Sequence, residues 1–83
     1  MRLDITTPER NVVSVEVESV QIPGKEGYLG ILPQHAPLIS ELKAGTLEYK
    51  SEGRTEKIAI SGGYLEVLPQ HVSVLAETAD MLR

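Results

Sequence analysis

The sequence predicts an all-β protein, an antiparallel sandwich or flattened barrel of short strands. Three observations point there. Apolar residues recur with a period of two rather than 3.6, turn residues interrupt them at close intervals, and one strand–turn–strand motif occurs almost twice. With 83 residues, the chain allows one domain, and a small one that buries only about 60% of the surface its unfolded form exposes.

The strands follow in order. Leu3 and Ile5 alternate with Asp4 and Thr6, and Thr7-Pro8-Glu9-Arg10-Asn11 breaks the run. Val13, Val15 and Val17 alternate with Ser14, Glu16 and Glu18. Val20 and Ile22 then resume in the opposite phase, which demands a bulge, a bend or a crossing between sheets. Pro23-Gly24-Lys25-Glu26-Gly27 turns the chain into Leu29 and Ile31. Beyond Lys43-Ala44-Gly45, Leu47 and Tyr49 alternate with polar neighbours, Ser51-Glu52-Gly53 turns, and Ile58 and Ile60 return. Ser61-Gly62-Gly63 reads as a glycine-rich hairpin turn. Leu65 and Val67, then Val72 and Val74, complete the pattern around Pro69. Closing the sheet on itself would protect the strand edges. The last stretch, Leu75 to Arg83, lacks Gly and Pro and leans toward helix formers. The expected division is a β domain over 1–76 and, over 77–83, a tail or the start of a linker.

The repeated motif is Gly27-Tyr28-Leu29-Gly30-Ile31-Leu32-Pro33-Gln34-His35-Ala36-Pro37-Leu38-Ile39. It returns at Gly63–Leu75 with seven identities and mostly aliphatic exchanges elsewhere. Both copies read as hairpins, and they hold both histidines of the chain.

Composition narrows the chemistry. Without cysteine there is no disulfide, thiolate metal site or cysteine nucleophile. Eight basic against twelve acidic residues give a net charge of −4, with the bases scattered, so nucleic acid and anionic membrane surfaces are poor partners. No apolar run approaches the ~20 residues a spanning helix needs. Gly24-Lys25-Glu26-Gly27 lacks the upstream glycine and the hydroxyl of a phosphate-binding loop. Ser61 lacks the preceding glycine and the following helix of a nucleophile elbow. His35 and His71 would need carboxylates such as Glu26, Glu41, Glu66 or Glu77 to hold a metal, and no short spacing supports that. A non-catalytic binding module is the expectation, with no cofactor and no metal. A small metal-dependent hydrolase built on the two histidines, and a free-standing adaptor for a protein or carbohydrate, are the alternatives.

One family shares the ordered blocks Leu3–Arg10, Pro23–Pro33, His35-Ala36-Pro37-Leu38, Gly45, Ser61-Gly62-Gly63 and Val72–Ala79. They resemble the epsilon subunit of the rotary F-type ATP synthase, called delta in mitochondria. The resemblance implies a flattened β-sandwich of about ten strands. It implies a central-stalk subunit that clamps the gamma subunit and rests on the c-ring, one copy per complex, peripheral on the cytoplasmic face of the bacterial membrane. It places c-ring contacts on the loop at Tyr28 and gamma contacts on His35, Ser40 and Thr7. Gln34 stands where the family usually has Gly, which implies strain on the order of 1 kcal/mol if that backbone takes φ > 0. The family's two C-terminal helices would begin where this sequence stops, so their inhibitory and nucleotide-binding roles are not carried over.

Overall fold

The computed structural model describes residues 1–82. Its described residues form ten strands and no helix. They are β1 (Arg2–Thr6), β2 (Asn11–Glu16), β3 (Ser19–Gly24), β4 (Gly27–Ile31), β5 (Leu38–Leu42), β6 (Gly45–Ser51), β7 (Arg54–Ile60), β8 (Gly63–Leu68), β9 (His71–Ala76) and β10 (Ala79–Met81).

Hydrogen bonding links the strands into two runs of five. One run is β5-β8-β9-β1-β2. The other is β10-β7-β6-β3, with β4 on the far edge of β3. A single bridge, Gly24 to Leu42, joins the runs through β3 and β5. The chain visits the runs alternately, laying a hairpin or, at β5 and β10, a single strand in one before crossing to the other. The phase flip between Val17 and Val20 is such a crossing, since β2 pairs with β1 while β3 pairs with β4 and β6.

The alternation read from sequence sorts side chains as expected. Leu3, Ile5, Leu65, Val67, Val72 and Val74 from one run meet Val20, Ile22, Leu47 and Ile58 from the other, all at most 1% exposed. Such a core is stiff, because its side chains are aliphatic, mostly β-branched and few in rotamers. No polar or charged residue is buried among the described residues.

Four details depart from the sequence reading. First, β1 pairs with β9 in parallel, although every other pair is antiparallel. Second, the two motif copies fold differently. Gly63–Leu75 is a hairpin with Leu68 opposite His71. In the first copy β4 does not pair with β5, which instead pairs with β8. Pro37 has no N–H and disfavours a helical conformation at the residue before it, and residues 32–37 cross between the runs. Third, Ser61-Gly62 is also a crossing rather than a hairpin turn, because β7 pairs with β6 and β10 while β8 pairs with β5 and β9. Positive φ occurs there twice, at Gly62 (131°) and Gly63 (137°). Fourth, Ala79–Met81 within the helix-leaning stretch form a strand, β10. Ala79 is buried, and β10 takes the ladder bonds that the edge of β7 offers. Helix propensity over so few residues is a weak prior against that.

Candidate docking surface

On the outer face of β9-β1-β2, four polar side chains form a band. Asp4 Oδ2 lies 2.6 Å from His71 Nε2, and the Ser14 hydroxyl donates to Asp4 Oδ1 at 2.6 Å. Arg2 donates to Ser14 Oγ, and its Nε stands 3.8 Å from Asp4 Oδ1. The Ser14 hydrogen bond, then the His71 one, hold the Asp4 carboxyl below its ordinary range, against some desolvation and with help from the Arg2 charge. The order is serine–carboxylate–histidine. A nucleophilic serine needs a base on its own hydroxyl, and a carboxylate held acidic is a poor one. The band therefore fastens three strands together and does not activate Ser14.

The two histidine-bearing turns lie side by side, since the Gln34 N–H donates to Pro69 O at 2.7 Å. Their rings are nonetheless occupied separately. His35 Nδ1 is 2.7 Å from Ala36 O, while His71 engages Asp4. Among the described residues no group of three or more His, Cys, Asp or Glu side chains could hold a metal ion. Neither histidine meets the carboxylates weighed from sequence. Asp4, which does meet His71, went unread because it lies 67 residues away across a parallel pair.

What the surface does offer is apolar. Tyr64 and Leu75 face each other across β8 and β9, and Ile39 sits diagonally on the same outer face of β5. They are 59%, 58% and 76% exposed, so three large apolar side chains share this water-facing sheet surface with Glu66, opposite Ile39, and Glu41, opposite Tyr64. Thr6, Thr7 and Pro8 flank Tyr64 and Leu75 along a groove of about 360 Å³. Thr7 shapes its rim. The Thr7 hydroxyl accepts the N–H groups of Glu9 and Arg10, each at 3.3 Å, and so fixes the turn that carries Pro8.

A second groove, of about 220 Å³, runs between β4 and β5 and is lined by Tyr28, Leu29, Ile39 and Ser40. Tyr28 lies in strand β4 rather than in a loop, two residues past the Lys25-Glu26 turn. Of the four residues that the resemblance singled out, Tyr28 and Ser40 thus share one groove. Thr7 lies on the other, and half-buried His35 sits in the 32–37 crossing. Ile39, Tyr64 and Leu75 were legible as strand residues, but which face they occupy depends on strand pairing.

Residues 1–81 match the family model described as ATP synthase, Delta/Epsilon chain, beta-sandwich domain. The chain belongs to this family. It is 52% identical over 79 residues to the ATP synthase epsilon chain of Desulforamulus reducens and 54% identical over 80 residues to that of Carboxydothermus hydrogenoformans. The alignments take in 95% and 96% of this chain but only 60% of each relative, so it spans well under two thirds of their length. Among solved structures it resembles a chain of the Euglena gracilis mitochondrial ATP synthase, from a cryo-EM OSCP/F1/c-ring assembly. The TM-score is 0.89 at 28% identity, covering 95% of this chain and 51% of that one. A chain of the Tetrahymena thermophila mitochondrial ATP synthase central stalk/c-ring shares the fold, with a TM-score of 0.80 at 14% identity, over 95% of this chain and 64% of that one. The delta/epsilon β-sandwich is thus the frame on which both grooves and the apolar patch are mounted.

Proposed function

We propose that this delta/epsilon chain is a non-catalytic rotor piece of the F-type ATP synthase central stalk, coupling the gamma subunit to the c-ring. It would work at the cytoplasmic face of a bacterial membrane, held there by the synthase rather than by lipid. The observation that carries the reading is the exposed Ile39, Tyr64 and Leu75 patch on a stiff sandwich of this family. A coupling that transmits torque needs a rigid body with an apolar contact area, and a polar rim gives that area its register. Gamma would take the patch and the Thr7 groove, with His35 and Ser40 at its border. The c-ring loops would meet Tyr28.

The test is capture of purified gamma subunit by the full chain. Wild type should bind. A double Ile39→Asp, Leu75→Asp variant should lose at least about tenfold in affinity. Its melting temperature should stay within a few degrees, since both side chains already face water. Failure of the folded wild-type chain to bind gamma would overturn the reading.

A further inference from the structure

Tyr28 is an exposed aromatic residue whose polar end is gripped by its own chain. Its hydroxyl oxygen accepts the Thr46 N–H at 3.3 Å, so the ring reaches from β4 past β3 to the start of β6. Pro23 lies directly opposite Tyr28 in the β3–β4 pair. Beside Thr46, a Cβ on Gly45 would stand 2.9 Å from Pro23 Cβ and 3.0 Å from the Tyr28 hydroxyl. Any larger residue at 45 must therefore displace Pro23 or the phenol.

The place is also the seam between the two runs of strands. Next to the Gly24–Leu42 bridge, the Lys25 N–H donates to Glu41 O and the Lys43 N–H to Pro23 O, each at 3.0 Å. Lys25 Nζ pairs with Glu41 Oε2 at 3.2 Å. The β3–β4 hairpin that carries Tyr28 is thereby tied to both runs.

A phenol has one O–H to give and two lone pairs to receive. Thr46 occupies a lone pair. The O–H meets no acceptor among the described residues, and Tyr28 is 54% exposed. Glu26 lines the same groove without an ion-pair partner among the described residues, so it repels an incoming carboxylate. A neutral acceptor fits better.

We infer that Gly45 and Thr46 preset Tyr28 as a hydrogen-bond donor for a neutral amide or peptide carbonyl on a c-ring loop. This rests on the rotor reading above and adds to it the chemistry of one contact. Gly45 is then a positioning residue that acts through the Tyr28 hydroxyl.

The experiment is a double-mutant cycle on the full chain, read as Kd for a purified c-ring–gamma assembly alongside melting temperature. Tyr28→Phe keeps the ring, removes the O–H, and should weaken binding roughly 3- to 12-fold, the range of one neutral hydrogen bond. Its melting temperature should move little. Gly45→Ala should weaken binding alone but add nothing in the Tyr28→Phe background. Wild-type affinity for Tyr28→Phe overturns the inference, as does full additivity of the two losses. Should Gly45→Ala fail to fold, the Tyr28→Phe affinity decides by itself. Absence of binding by the wild-type chain would instead sink the rotor reading, and this inference with it.

Discussion

Gln34 holds a left-handed backbone, φ 69°, in the 32–37 crossing. For an L-residue with a Cβ that conformation costs about 1 kcal/mol relative to glycine. Its N–H is committed to Pro69 O at 2.7 Å and that of His35 to Leu32 O at 3.1 Å, so the surroundings hold the turn in place. Gln34→Gly should relieve the strain. Part of the gain is offset by the greater freedom of glycine in the unfolded chain, leaving about 0.5 kcal/mol. Thermal unfolding should show a melting temperature higher by about 2–4 °C. An unchanged or lower value would mean that the Gln34 side chain contributes as much as its backbone loses. This position was flagged by the resemblance alone, because the family usually has Gly there, and the positive φ bears out that reading. The Asp4–His71 contact was not legible in the sequence, because nothing in a period-two pattern says which strand lies beside which.

Strands are legible wherever one face is buried and the other wet, as in Leu47–Tyr49 or Leu65–Val67. Connections are harder. Burial alternates along β5 and Leu42 is buried, but the sequence Leu-Ile-Ser-Glu-Leu does not alternate in hydropathy because the exposed position 39 holds Ile, so that strand emerged only through its likeness to the second motif copy. The glycines at 62 and 63 announce positive φ yet do not say whether the chain turns back or crosses over. The structure separates the two cases by what surrounds the missing side chain. A Cβ on Gly63 would lie 1.9 Å from Leu75 O and 2.9 Å from Ala76 Cα, both backbone atoms of β9. One on Gly53, at φ 77° in the β6–β7 hairpin, would meet nothing within 4 Å. Gly53→Ala should therefore cost about 1 kcal/mol, the conformational term alone. Gly63→Ala should cost on the order of 3 kcal/mol or more, because β8 and β9 must part at their pairing edge. Urea unfolding of the two variants side by side checks this, and equal losses would show that β9 yields to the added methyl.

At the scale of the whole molecule, the parallel β1–β9 pair is the long-range joint. It brings Arg2 opposite His71 and seats β1 between β9 and β2. The wholly buried Leu3 and Ile5 hold β1 from inside, and the Arg2–Ser14–Asp4–His71 band holds it from outside. The inside term is insensitive to pH and the outside term is not. Asp4 titrates below its ordinary value in the folded chain. The stability it contributes is therefore complete above the unfolded carboxyl value of about 3.9 and is lost as pH falls through the folded value. Asp4→Asn removes that charge. The variant should be less stable than wild type at pH 7, and its stability should fall less steeply than that of wild type between about pH 4 and pH 2. Urea unfolding at several pH values measures both. Parallel curves would mean that Asp4 adds no pH-dependent stability, leaving the apolar pair alone to hold the joint. With the outer band gone, β2 is the strand to loosen first, since it has a neighbour on one side only and Ser14 is a member of the band. Amide hydrogen exchange in Asp4→Asn should accordingly speed up in β2 well before it does in β8, which is flanked on both sides.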